Sequence, residues 1–200
     1  MDAFVIHGGL PLRGKVRING SKNASLPLMV AALLTNKPVI LDGVPSLADI
    51  ANMRRLLTEL GCQVKDEPSG AGVGRRMTLH TTDDSARHAR YDIVRTMRAS
   101  ISVLGPMLAR RGEARVSMPG GCSIGDRPVD LHLRGLRALG AHICLEAGDI
   151  VAKAPPGGRL EGARIFLGGP AGPTVLGTAN VLSAAVLARG VDDARVSRLA

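Results

Sequence analysis

Between Pro119 and His132 the chain reads PGGCSIGDRPVDLH. Cys122 follows two glycines and precedes Ser-Ile-Gly, so its thiol is carried on backbone that can move and can expose it. A structural cysteine normally packs inside a strand or helix, and a functional role is favoured here. Two chemistries are open to it. Arg127 could lower its pKa and raise its thiolate content, whereas an acid that donates to carbon must keep its proton until the right moment. The planar fork of Arg127 suits bidentate contact with phosphate or carboxylate. Asp126 fits a helix N-cap and Pro128 the first turn. Asp130 and His132 belong either to a site or to a solvated helix face.

Two further basic residues invite the same question. Lys22 follows a Gly-Ser turn and precedes an apolar helix, whose N-terminal amides and dipole favour anions. Its ammonium could join them around a phosphate, or it could be a solvated surface lysine. Asn23 could hydrogen-bond ligand hydroxyls or cap the helix. Arg98 stands beside an apolar helix running from Ile101 to Leu108. A charge there needs an anionic partner, either a structural carboxylate or a ligand. Arg90 and Arg95 read as surface charges, and Cys62 and Cys144 as core residues of apolar strands.

The elements that must position these groups repeat along the chain. Ala24 to Val64 and Ala99 to Ile143 share an order of features. Each opens an apolar helix with Ala-Ser, adds a short strand (Pro38 to Leu41; Ala114 to Met118), then a loop, an amphipathic helix and another strand. Leu60-Gly61 and Leu139-Gly140 read as helix stops, with glycine in the left-handed position. A third unit begins at RLEGARIFL, echoing PLRGKVRIN, and runs through the helical TANVLSAAVLARG without a second helix. The pattern predicts an α/β fold with apolar helices such as Ala24 to Leu34 at the centre and sheets outside. Residues 68–72 and 155–158 read as turns between units.

Composition narrows the partners. The 200 residues are 45% hydrophobic, enough for an ordinary core. No apolar stretch approaches a bilayer span, and the N-terminus lacks a basic, cleavable leader, so a cytoplasmic protein without membrane contact is expected. Three cysteines without ligand spacing argue against both a disulfide framework and a metal site. Net charge is +9, and only Lys15, Lys22, Lys37, Lys65 and Lys153 of the 26 basic residues are lysine. The arginine excess favours anionic ligands. The basic residues are scattered and Phe4, Tyr91 and Phe166 are the only aromatics, which points away from nucleic acid and toward a phosphorylated or carboxylated small molecule.

Three segments, NGSKNASLP (Asn19 to Pro27), YDIVRTMRASISVLGP (Tyr91 to Pro106) and PGGCSIGDRPVDLH, together resemble the bacterial UDP-N-acetylglucosamine 1-carboxyvinyltransferases, over about the first half of such an enzyme. The resemblance implies an inside-out α/β barrel domain of the enolpyruvyl transferase type, built from three repeats, the third truncated here. It implies transfer of the enolpyruvyl group of phosphoenolpyruvate to the 3-hydroxyl of UDP-N-acetylglucosamine with release of phosphate, in peptidoglycan synthesis, with no cofactor. Cys122 becomes the residue that protonates the methylene carbon, can form an adduct with phosphoenolpyruvate and is alkylated by fosfomycin. Lys22, Asn23, Arg98, Arg127, Pro128, Val129, Asp130 and His132 become substrate-binding residues. The family's Ser-Val-Gly-Ala-Thr phosphate loop corresponds to TVLGT, so Thr174 and Val175 are carried over, with Leu176 in place of a glycine that Gly177 could replace by a one-residue shift.

In that family, residues 1–20 pack with the second domain and residues 21–200 fall in the first. The general base and another phosphoenolpyruvate-binding arginine come from the second domain and are absent here, so the chain alone is expected to turn over little. Two other readings compete: a 5-enolpyruvylshikimate-3-phosphate synthase-like transferase, which lacks such a loop cysteine, and a non-catalytic fragment that holds a UDP-sugar.

Overall fold

Ser21 starts the first helix. Its Oγ accepts the Ala24 N–H at 3.4 Å, so helix α1 (Lys22–Ala31) opens two residues before the expected Ala24 and continues as a 3-10 turn over Ala32–Leu34. The computed structural model describes residues 3–9, 11, 13–70, 72–118, 129–170, 172–190 and 193–195. After α1 come β1 (Val39–Val44), α2 (Ala48–Glu59), β2 (Cys62–Pro68) and β3 (Arg75–Thr81). The strands form an antiparallel sheet in the order β1-β3-β2, with Val39 opposite Leu79.

The second unit repeats this plan. After β4 (His88–Ala89) and the short α3 (Tyr91–Val94), a 3-10 run over Arg98–Val103 leads into α4 (Leu104–Arg111). Pro106 explains the change of helix type: an α-helix begun further upstream would drive its ring into the Ser102 carbonyl and leave that carbonyl without a donor. Then follow β5 (Glu113–Ser117), α5 (Asp130–Ala138), β6 (His142–Glu146) and β7 (Asp149–Lys153). The sheet order β5-β7-β6 matches β1-β3-β2, and β4 adds in parallel at the free edge of β5.

The third unit contributes β8 (Arg164–Phe166), β9 (Gly168–Gly169), β10 (Gly172–Pro173), α6 (Val175–Ala185) and β11 (Asp193–Arg195), with β8 and β11 parallel as β4 and β5 are. Among the described residues this unit has no counterpart of α2 and α5. RLEGARIFL yields β8, but its echo over residues 15–19 forms no strand and is exposed.

The sheets lie outside and the helices inside, as expected. Leu104, Met107 and Leu108 of α4 are fully buried, each contributing about 1.5–3 kcal/mol by leaving water. Burial is one-sided on the flanking helices. Leu28 of α1 and Leu182 of α6 are about half exposed, at 52% and 53%. Gly61 (φ 84°) and Gly140 (φ 88°) take the left-handed stops read from the sequence. Arg111 fastens the first two units: its guanidinium donates to the carbonyls of Leu60 at 2.7 Å and of Ala86.

One core expectation fails. Cys62 is buried, and burial pushes its thiol pKa up. Cys144 is exposed, because β6 is the edge of its sheet and only Ile143 in it is even partly covered. Its Sγ–H donates to Glu146 Oε1 at 3.2 Å. Alkylating the folded chain with iodoacetamide, followed by peptide mass mapping, is expected to modify Cys144 and spare Cys62. Equal rates at the two would contradict this packing.

Candidate functional site

The helices that open each unit start at one place. The first turn of α1, the beginning of the 3-10 run and the first turn of α6 border a cleft of about 480 Å³. Lys22, Asn23 and Pro27 come from α1, Arg98 from the 3-10 run and Val175 and Leu176 from α6, and Asp49 enters from the first turn of α2. Unpaired amides at the N-termini of α1 and α6 add positive potential to that of Lys22 and Arg98. Such a cleft favours an anion with several oxygens.

Asp49 offsets part of this charge and was not singled out from sequence. Its Oδ2 accepts from Lys22 Nζ at 2.9 Å, with both side chains more than a third exposed. A pair so hydrated is worth about 0–1 kcal/mol, so an incoming phosphate can take Lys22 from it at little cost. In the sequence Asp49 reads only as an acidic residue complementing a helix N-terminus.

His132 lies behind the cleft wall, 4% exposed, which excludes the solvated-helix reading. Its Nδ1 accepts from Asn180 Nδ2 at 3.0 Å. Burial and the neighbouring Arg98 charge pull its pKa down to about 4, against a smaller opposing pull from Asp130. Val129 is buried at the entry to α5, and Asp130 is exposed in its first turn. Neither lines the cleft.

Thr174 caps α6: its Oγ1 accepts the Gly177 N–H at 3.0 Å. Gly177 also serves packing. A side chain there would meet Thr174 Cγ2 at 2.5 Å and His132 Cδ2 at 3.3 Å, so the missing Cβ lets His132 pack on α6. Leu176 itself borders the cleft. Lys22, Asn23, Arg98 and Val175 are thus brought together, with His132 and Thr174 directly behind them. Cys122, Arg127 and Pro128, with the expected cap Asp126, lie outside the described residues.

Comparison with known proteins adds to this geometry. Curated relatives named UDP-N-acetylglucosamine 1-carboxyvinyltransferase include one from Gluconacetobacter diazotrophicus, 54% identical over 191 residues, covering 95% of this chain and 43% of the relative. Another, from Akkermansia muciniphila, is 47% identical over 190 residues with the same coverage. The chain thus spans less than half the length of these relatives. Among solved structures, the enolpyruvyl transferase NikO from Streptomyces tendae superposes with a TM-score of 0.72 at 22% identity, covering 92% of this chain and 41% of that one. EPSP synthase from Acinetobacter baumannii gives 0.60 at 18% identity, covering 88% and 39%. Both share the fold of helices inside small sheets. A profile of EPSP synthase (3-phosphoshikimate 1-carboxyvinyltransferase) matches residues 6–199, and over that span the chain belongs to the EPSP synthase family.

Proposed function

We propose that this chain is the first domain of a UDP-N-acetylglucosamine 1-carboxyvinyltransferase, and that its cleft holds phosphoenolpyruvate and UDP-N-acetylglucosamine for enolpyruvyl transfer. The observation that carries the reading is the meeting of Lys22, Asn23 and Arg98 with two helix N-termini around one space of about 480 Å³. Protonation of the methylene carbon of phosphoenolpyruvate makes C2 electrophilic, the sugar 3-hydroxyl adds there, and loss of phosphate and of a methyl proton restores the double bond. Arg98 and Lys22 hold the phosphate and carboxylate, whose charge grows on the leaving group. Cys122 delivers the proton, and Arg127, Pro128, Val129 and Asp130 contact the nucleotide sugar.

The rest of the reading follows from the same assignment. The reaction serves peptidoglycan synthesis in the cytoplasm, without a cofactor, and fosfomycin alkylates Cys122. Phe4, Val5, Ile6, Val16 and Ile18 are all more than 80% exposed, an apolar surface suited to packing against a second domain, which also supplies the general base. Relatives named for the UDP-sugar reaction, rather than the shikimate one, favour this acceptor.

Calorimetry tests it. The chain is expected to bind UDP-N-acetylglucosamine and then phosphoenolpyruvate. Lys22→Met or Arg98→Met should each weaken the second step by about 10–100-fold, the loss of one charge-assisted hydrogen bond. Wild-type affinity in both variants would defeat the site assignment. Sustained phosphate release by the chain alone would defeat the half-enzyme reading.

A further inference from the structure

Asn180 is a polar side chain that joins three helical segments behind the cleft, and the proposed function gives it no role. It is fully buried on α6. Its Oδ1 accepts the Gly105 N–H at 2.8 Å, and its Nδ2 donates to the Ile101 carbonyl at 3.2 Å and to His132 Nδ1 at 3.0 Å. The amide has only one workable orientation. Turned over, it would set Nδ2 against the Gly105 N–H and Oδ1 against the Ile101 carbonyl, two repulsive contacts in a dry interior. With that orientation fixed, Nδ1 of His132 must be the unprotonated ring nitrogen, and Nε2 carries the proton.

We propose that Asn180 is a positioning residue of this site: it fixes His132 as the neutral, Nε2–H imidazole behind the cleft wall and ties it to the segment that carries Arg98, so that the guanidinium faces the phosphorylated ligand in one arrangement. The proposal rests on the functional reading above only for the ligand. Arg98, on the 3-10 run, and Asp130, on the same helix as His132, are the charged groups that act on the ring. Arg98 opposes an imidazolium and so supports the neutral form, while Asp130 works weakly against it. Ile101, whose carbonyl Asn180 holds, lies one helical turn from Arg98 in that run, so the two N–H bonds of Nδ2 tie His132 to the segment that carries Arg98. Asn180→Asp keeps an acceptor for Gly105 but loses both donors, and the carboxylate then draws a proton onto Nδ1.

Nitrogen-15 NMR of His132 tests this without a ligand. In the unmutated chain at neutral pH, the proton is expected on Nε2, with scalar coupling across the hydrogen bond between Asn180 Nδ2 and His132 Nδ1. In folded Asn180→Asp, Nδ1 is expected to become protonated and affinity for phosphoenolpyruvate, in the presence of UDP-N-acetylglucosamine, to fall about 10-fold as Arg98 loses its fixed position. A proton on Nδ1 in the unmutated chain overturns the proposal even if the variant fails to fold. An unchanged Nε2–H form in the folded variant overturns it too, and so does full affinity despite a switched proton. If the unmutated chain shows the expected tautomer and coupling but binds no UDP-N-acetylglucosamine, the functional reading fails and the positioning of His132 stands.

Discussion

Gly105→Ala is expected to cost the fold about 4 kcal/mol. In an exposed helix the same change would gain about 1 kcal/mol from helix propensity, and the sign here is set by what faces the Cα. A methyl at Gly105 would overlap the backbone carbonyl oxygen of Asn180 and stand 2.6 Å from Asn180 Oδ1. Neither atom can swing away, because the first belongs to the backbone of α6 and the second is held by the Gly105 N–H itself. The helices must separate. Overpacking of a rigid contact costs about 1–3 kcal/mol, and the buried amide loses partners worth about 1–3 kcal/mol more. Against a total stability of about 5–15 kcal/mol, a loss near 4 kcal/mol consumes between about a quarter and four fifths of it. Gly8→Ala, with nothing within 4 Å of the added methyl, is the matched control. Urea unfolding of the two variants decides the matter: a Gly105→Ala midpoint close to that of Gly8→Ala would show that α4 and α6 do not pack as closely as described.

That contact marks the limit of what the sequence reveals. The repeat was legible because its signals are local: Ala-Ser before an apolar helix, Leu-Gly after an amphipathic one, and apolar strands between them. The two matching sheet orders, β1-β3-β2 and β5-β7-β6, follow from that repetition. Lys22 and Arg98 were legible as candidates for an anion site because each is a cation at the head of an apolar helix, and the fold brings both to one cleft. Asp49 was not, because an acidic residue in a first turn already has a sufficient local explanation, and its pairing with Lys22 depends on how α1 and α2 cross. Asn180 did leave a trace. It is the sole amide within the apolar helix Val175–Ala185, and a polar group on a buried face must find partners. Those partners lie far off in sequence, at Ile101, Gly105 and His132. Cys144 misled for the complementary reason, since an apolar strand pattern does not say which strand ends at the edge of the sheet. The packing role of Gly177 was not legible, because His132 comes against it only through the fold.

Acid should weaken the fold in a window set by His132. Its folded pKa is about 4, lowered by burial and by the Arg98 charge from the ordinary 6.5. The unfolded chain therefore takes up a proton at this position before the folded chain does. Above pH 6.5 both states are neutral here and stability is flat. As pH falls from 6.5 to about 4, the unfolded state gains a proton that the folded state refuses, and stability declines; below about 4 both states are protonated and this decline ends. A difference of about 2.5 pKa units corresponds to roughly 3 kcal/mol at full extent. The buried Asp149 acts elsewhere on the scale. Burial alone would raise its pKa, but hydrogen bonds from Ser117 and Arg115 and the nearby His88 outweigh that and lower it below 3.8, so its contribution is lost only in stronger acid. The two are separable by comparing the unmutated chain with His132→Gln. From pH 8 to pH 4 the unfolding free energy of the unmutated chain is expected to fall relative to that of the variant by up to roughly 3 kcal/mol, because only the unmutated chain loses stability through this group. Parallel curves for the two proteins would mean that His132 takes up its proton as readily in the folded chain as in the unfolded one, and is therefore not enclosed beside Arg98 and Asn180.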